Sequence, residues 1–337
     1  MSQRVLPATV QHVYQGTVDG VLIFYSLQDV LVFYTIFMCY ADKYRATILS
    51  LSLMPDHYHC VIAAGDRESL NRYIGNATSL FTREYNNWYN RRGPLFRTPF
   101  GCASKKGTKA IISTINYSLN NQAVKKLCTK VEETRMNFLA YSLNDHPFSD
   151  KVNKAKVSRR LRRALYEMEA CAKTGTPLNY SMLNRIMSTL DKTEAAQLAD
   201  KAIGAYNRID YELAGSYYGS VEKMILAANS NSGNEFGIAE PFDTNDDRPY
   251  ATIRTILDSF EQRGIKEILR KNLTERLELG WRLMSKCKTC NPRHIEKFLW
   301  LPDGTLHRKV VELVRVRQHL RRCLLQNPIS LLALNML

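Results

Sequence analysis

The period of the apolar positions changes several times over the first 130 residues, and each change marks an element. Val10 to Tyr25 reads as extended chain folded about Asp19-Gly20, a dipeptide that favours a tight hairpin turn. Ser26 precedes Asp29 by three residues, the spacing of a capping box, which predicts a helix running to about Arg45. Ala46 to Leu53 and His57 to Ala64 are rich in β-formers and separated by Met-Pro-Asp. Pro55 has no N–H to give to a ladder, so two antiparallel neighbours with a tight connection are expected. Glu68 to Arg91 returns to helical spacing, with Leu70, Tyr73, Ile74, Ala77, Leu80, Phe81, Tyr85 and Trp88 on one side. Gly93 to Ala103 is a broken extended segment, and Thr108 to Cys128 a further helix with Ile111, Ile112, Ile115 and Leu119 as its buried stripe. The order β–α–β–β–α–β–α predicts an α+β domain, an antiparallel sheet with helices packed on it.

From residue 157 the pattern is mainly helical. Val157 to Lys173, Asn179 to Leu190, Thr193 to Asp200, Ser220 to Asn229 and several segments after Thr252 have helical periodicity, and Asn229 to Arg248 reads as a polar loop. Tyr141 to Lys156 mixes Pro, Asn, Asp and Ser and has little apolar rhythm. The expected organisation is an α+β domain over 1–145, a linker over 146–156 and a mainly α-helical domain over 157–337.

Composition supports a packed core, with 45% hydrophobic and 23% charged residues in a chain of 337. The most apolar stretch, Gly20 to Cys39, is interrupted by Gln28 and Asp29. The remaining run, Val30 to Cys39, falls short of the ~20 residues that a membrane-spanning helix needs. The first ten residues lack a basic region followed by an apolar block, so neither a membrane partner nor a secretory leader is expected. Eight cysteines, mostly scattered singly, fit a reducing, cytoplasmic compartment.

Charge sharpens this picture. There are 47 Lys and Arg against 32 Asp and Glu, a net +15 that points to a polyanionic partner, most often nucleic acid. Residues 1–150 carry only +5, whereas Lys151 to Arg163 has seven basic residues and no acid. The stretch 164–259 is acidic at −6 and 260–337 basic at +9. Arg159, Arg160, Arg162 and Arg163 are therefore candidate phosphate contacts. The segment from His294 has a helix–turn–helix rhythm to about residue 317. Ile295, Phe298 and Leu299 would pack a first helix, Pro302-Asp303-Gly304 would turn, and Leu306, Val310 and Leu313 would pack a second. Thr305, His307, Arg308 and Lys309 would then open a recognition helix. Cys287-x-x-Cys290, with His294 and His307 beyond it, has one Cys pair and irregular His spacing, so ordinary thiols are expected rather than zinc.

The chemistry-bearing string is Met54-Pro55-Asp56-His57-Tyr58-His59. Histidines at i and i+2 of a strand share a face and can share a cation. On the later helix Tyr117 and Asn121 are four apart and project from neighbouring positions. Two imidazoles and an amide oxygen form an N,N,O set with open positions, suited to Mg²⁺ or Mn²⁺ engaged by a phosphate oxygen. A tyrosine beside such a cation can attack a phosphodiester. Asp56 and Glu84 are alternative oxygen donors.

These strings, MPDHYHCVI, then NNWYNRRGPLF (Asn86 to Phe96), then INYSLNNQAVKKL (Ile115 to Leu127), resemble the single-tyrosine HUH transposases, and among them the REP-associated tyrosine transposases. The resemblance spans about residues 5–145. It implies an HUH-type sheet, with His57 and His59 as metal ligands, Asn121 as the third ligand and Tyr117 as the nucleophile of a 5′-phosphotyrosine intermediate. Tyr58 stands where an aliphatic residue is usual, facing away from the metal. The implied activity is metal-dependent cleavage and rejoining of single-stranded DNA beside a hairpin, by a monomer or a homodimer on the bacterial nucleoid. Arg91, Arg92, Lys105 and Lys106, flanking these motifs, are further candidate DNA contacts, and Tyr85, Trp88 and Phe96 candidate stacking platforms. A hairpin-DNA-binding regulator that no longer cuts, and an HUH replication initiator or relaxase, are the competing readings.

Overall fold

The computed structural model describes residues 10–230, 246–287 and 290–306. Strands β1 (Val10–Gly16), β2 (Thr47–Met54), β3 (His57–Ala63) and β4 (Gly101–Lys105) form one sheet in the order β2-β3-β1-β4, every pair antiparallel. β2 and β3 are the neighbours expected about Pro55. β1 is not the arm of a hairpin. Asp19 and Gly20 both take positive φ, in a single 3₁₀ turn, and no strand returns beside β1 from there. The chain leaving β1 is bonded to two other connections instead: Thr17 N–H to the Asp56 carbonyl, Val18 N–H to that of Leu95 and Ile23 N–H to that of Pro55. β1 thus takes an interior position between β3 and β4.

Strand alternation divides the sheet into two chemically different faces. Val13 and Gln15 of β1 align with Cys60 and Tyr58 of β3, and these with Leu51 and Leu53 of β2. This face is covered by α1 (Leu27–Lys43) and α2 (Arg67–Tyr89), whose Phe33, Phe37 and Phe81 gather with Phe96 around the sheet. The capping box forms as predicted: Ser26 Oγ accepts from Asp29 N–H, and the Asp29 carboxylate accepts from Ser26 N–H. The other face presents His12, Tyr14, His57 and His59 and is crossed by α3 (Thr108–Val124).

Five further helices build onto this core: α4 (Arg159–Lys173), α5 (Tyr180–Met187), α6 (Lys192–Tyr206), α7 (Tyr211–Ser216) and α8 (Val221–Ser230). α5 and α6 pack on α1, and Trp88 of α2 stacks on Tyr180 of α5, ring centroids 5.3 Å apart. α7 and α8 bring Ala214, Met224 and Ala228 into one apolar cluster with Val10, Val61, Ile111, Ile115 and Leu119. The chain divides into two compact units at Arg248/Pro249, so the polar segment 146–156 runs within the first unit. The reason is a buried carboxylate. Asp200 of α6 is fully buried and accepts from Arg135, the Tyr141 hydroxyl, Phe148 N–H and the Ser149 hydroxyl, which fixes this segment against α6.

The second unit contains α9 (Arg248–Asp258), α10 (Ile265–Arg270), α11 (Leu273–Lys286) and α12 (Pro292–Leu299). Ile295, Phe298, Leu299 and Leu306 are buried as their spacing predicts. The Glu296 carboxylate accepts from Gly304 N–H at 3.0 Å and Leu306 N–H at 2.6 Å, fixing the turn after α12. Gly280 lets this turn approach closely: a Cβ would lie 3.1 Å from both Leu301 and Leu306, whose side chains would have to give way. Cys287 and Cys290 are joined as a disulfide rather than standing as two thiols. His307, Arg308, Lys309, Val310 and Leu313 of the expected second helix lie outside the described residues, as does most of the loop expected over 229–248. Among the described residues, no helix is long and apolar enough to cross a membrane.

Candidate active site

His57 and His59 stand two residues apart on β3, both buried, with ring centroids 5.0 Å apart and planes nearly perpendicular. Each is held from the side. His57 Nδ1 lies 2.6 Å from Asp56 Oδ1, and His59 Nδ1 lies 3.2 Å from Nε2 of His12, which projects from β1 onto the same face. Asp56, one of the alternative oxygen donors, is thus bonded to a histidine ring. Glu84 sits on α2, which packs on α1 beyond the opposite face.

α3 brings the remaining groups. Ile115 and Leu119 bury its apolar stripe, Ser118 accepts a hydrogen bond from Ser50 Oγ at 3.1 Å, and the Gln122 amide donates to the Leu53 carbonyl. These polar ties fix the helix against β2. Tyr117 then lies edge-on to His59 and His12, at centroid distances of 5.4 and 5.8 Å. Asn121, one turn further, is buried, and its Nδ2 has no hydrogen-bond partner. Because the two ends of a side-chain amide exchange by a 180° rotation, an oxygen can occupy that position. A buried polar atom without a partner is costly, and a cation is one way to satisfy it.

Electrostatics favour neutral rings at His12 and His59. Burial, with Lys105 nearby, lowers the pKa of His12 to about 3. Burial again, helped by His57, His12 and Lys125, holds His59 well below its ordinary value. A neutral imidazole keeps a lone pair for a cation. The donor set therefore fits a divalent ion, although no cluster of three or more His, Cys, Asp or Glu suited to a metal occurs among the described residues. The third ligand here would be an amide.

Three contributors were not singled out in the sequence. His12 and Tyr14 become visible only once β1 is registered against β3. Tyr14 lies 6.3 Å from His59 by ring centroid, its ring flat across Gly101, where a Cβ would come within 2.1 Å of Tyr14 Cζ. Lys125, the C-cap of α3, joins Lys105 as a cation close enough to influence the rings.

The other predicted DNA contacts are dispersed. Arg91 clamps its own turn through Asn86 and the carbonyls of Gly93 and Pro94, while Arg92 and Lys106 are exposed. On α4, Arg162 donates to the carbonyls of Lys154, Ala155 and Val157, Arg160 to that of Thr189, and Arg163 pairs with Glu167. Arg159 is exposed, and the Thr305 hydroxyl donates to the Pro302 carbonyl. Tyr85 and Phe96 are buried, and Trp88 is stacked on Tyr180, so these aromatics serve packing. A cavity of about 690 Å³ lined by Gln11, Gln15, Asn71, Thr78, Ser79 and Thr98 involves β1 residues that alternate with His12 and Tyr14, and so opens on the opposite face.

The match to known families falls on this site. Residues 26–122, which include His57, His59, Tyr117 and Asn121, match the family model described as "Transposase IS200 like". The match covers under a third of the chain. The matched segment starts at the cap of α1, so β1 and His12 precede it. The chain is also similar to a solved structure titled "Structure of the REP associates tyrosine transposase bound to a REP hairpin", at 13% identity over 45% of this chain and 94% of that one, with a TM-score of 0.34. No curated protein matches the chain.

Proposed function

We propose that this chain is a transposase-like endonuclease and strand transferase acting on single-stranded DNA beside a hairpin, with Tyr117 as nucleophile and His57, His59 and Asn121 as the holders of Mg²⁺ or Mn²⁺. The observation that carries this reading is the placement of the Tyr117 ring 5.4 Å from that of His59, by a helix that also brings the buried Asn121 to the same face. A divalent ion held there would polarise the non-bridging oxygens of the scissile phosphate. The Tyr117 oxygen attacks phosphorus and loses its proton, the P–O3′ bond breaks, and the departing oxygen leaves as a free 3′-hydroxyl. The product is a 5′-phosphotyrosine. Attack by a 3′-hydroxyl on that linkage rejoins a strand without an external energy source, because the ester bond is conserved. Lys105 and Lys125, flanking the histidines, would hold the backbone of the strand near the reacting phosphate. All four principal groups come from one chain, which favours a site complete in a monomer. The place of action would be cytoplasmic, on the bacterial nucleoid.

The test is incubation of the purified protein with labelled single-stranded hairpin DNA and Mg²⁺ or Mn²⁺. The expected result is a covalent protein–DNA adduct that is resistant to denaturation and lost in Tyr117→Phe. Absence of an adduct with wild type across a panel of hairpins, or an equal adduct with Tyr117→Phe, would remove the reading in favour of a binding protein that does not cut.

A further inference from the structure

Both histidines of the proposed site are gripped at the same ring atom by different chemistry. Nδ1 of His57 lies 2.6 Å from a carboxylate oxygen of Asp56, and Nδ1 of His59 lies 3.2 Å from Nε2 of His12. We infer that Asp56 and His12 are positioning residues that fix the tautomers of His57 and His59, so that both rings present Nε2 to one divalent cation. The inference rests on the metal-binding reading above and adds the residues that set the geometry and affinity of that site.

An ionised carboxylate can only accept, so the proton between Asp56 and His57 belongs to the imidazole Nδ1 and the lone pair to Nε2. Asp56 is well placed to do this repeatedly. It is mostly buried, and the turn that carries it is bonded from both sides, with Thr17 N–H donating to the Asp56 carbonyl and Ile23 N–H to that of Pro55. The second contact differs, because two neutral imidazoles share one hydrogen and either ring can supply it. Only when His59 donates to His12 does His59 keep its Nε2 lone pair. In the opposite arrangement the proton sits on Nε2 and the ring cannot ligate. Histidines that bind metals commonly give their other N–H to such a partner, and losing the partner weakens metal binding about 10–100-fold. A carboxylate polarises its ring more strongly than a neutral imidazole does, so Asp56 should matter more than His12.

The register makes the second contact specific to this fold. His12 aligns with Val61 on β3, and strand alternation puts its side chain on the same face as His59, within diagonal reach across the β1–β3 ladder. His12 also precedes the segment that matches the transposase model, so it supports the site from outside the matched residues.

The experiment is titration of the full chain, without DNA, with Mn²⁺, following the free ion by electron paramagnetic resonance. The variants are Asp56→Ala, Asp56→Asn, His12→Leu and His12→Gln, with His57→Ala/His59→Ala as the site control and thermal unfolding in EDTA as the check on folding. Wild type is expected to bind Mn²⁺ at a site lost in the double-alanine control. Asp56→Ala and His12→Leu should weaken it by about 10–100-fold. Asp56→Asn and His12→Gln each retain an acceptor oxygen and should recover most of the affinity, which a loss of packing alone would not produce. Wild-type affinity in Asp56→Ala and His12→Leu, or equal affinities for Leu and Gln at position 12, would overturn the inference while leaving the metal site standing. No Mn²⁺ binding by wild type, or binding that survives in the double-alanine control, would instead remove the metal reading and this inference with it.

Discussion

Asp29 shows how much one buried side chain can organise. It is fully buried at the start of α1, where its carboxylate accepts from Tyr25 N–H, Ser26 N–H, Ser26 Oγ, Tyr89 Oη and Tyr180 Oη. Its capping role is local, whereas the two tyrosines come from α2 and α5, so one carboxylate ties three helices together. Burial raises its pKa from 3.8 to about 6, against hydrogen bonds that favour the charged form. The folded chain therefore holds this proton more tightly than the unfolded chain. The contribution of this group to stability is full below pH 3.8 and is lost as the pH rises through 6, a change of about 3 kcal/mol at 1.36 kcal/mol per pH unit. In Asp29→Asn that pH dependence should vanish. Urea unfolding of both proteins at pH 4, 5, 6 and 7 measures this effect. Equal slopes between pH 4 and 6 would show that Asp29 does not carry the shift.

At the level of elements, α3 does for the site what Asp29 does for the helices. Its apolar stripe, Ile111, Ile115 and Leu119, was legible from sequence because helical spacing is a local property, and so was the Ser26–Asp29 cap. The pairing of His57 with His59, and of Tyr117 with Asn121, was legible for the same reason, since each pair lies within one turn or one strand repeat. What local spacing does not contain is register between distant segments. Asp19-Gly20 carries a hairpin signal, yet β1 pairs with β3 and β4, because the loops at Pro55 and Leu95 supply the bonds that a returning strand would have made. His12 became part of the site by that pairing alone. The seat of α3 is similarly non-local, and it rests in part on Gln122 reaching the Leu53 carbonyl. Gln122→Leu leaves that carbonyl buried without its donor and should cost about 1–3 kcal/mol in urea unfolding. It should also slow adduct formation in single-turnover reactions, through a displaced Tyr117, while affinity for hairpin DNA stays unchanged. A weakened affinity with an unaltered rate would mean that Gln122 serves the DNA surface rather than the placement of α3.

For the whole molecule, charge and compactness divide the chain at different places. The polar stretch around residue 150 looks like a boundary by composition, but Asp200 and its donors fasten it to α6, and the compact units part at Arg248/Pro249. Counted by units, residues 1–248 carry a net +6 and 249–337 a net +9, so the smaller unit has the denser positive charge. Part of the charge of the first unit is also already spent within the chain, as at Arg162, which caps three carbonyls, and Arg163, which faces Glu167. Phosphate contacts release counterions and steepen the fall of affinity with salt, by about 0.7 in log–log slope per contact on single strands and 0.9 on duplex. Removal of 249–337 should therefore flatten the salt dependence of hairpin binding by several contacts, while the Tyr117-dependent adduct still forms at saturating DNA, since His57, His59, Tyr117 and Asn121 all remain. Within the first unit, Arg159→Ala should lower the slope by about one contact, because that side chain is exposed, whereas Arg162→Ala should lower thermal stability and leave the slope alone. Binding measured by fluorescence anisotropy from 50 to 400 mM salt separates the cases. A truncated chain with the full slope would locate every phosphate contact on the sheet domain and its covering helices, and would leave the basic second unit without a part in holding DNA.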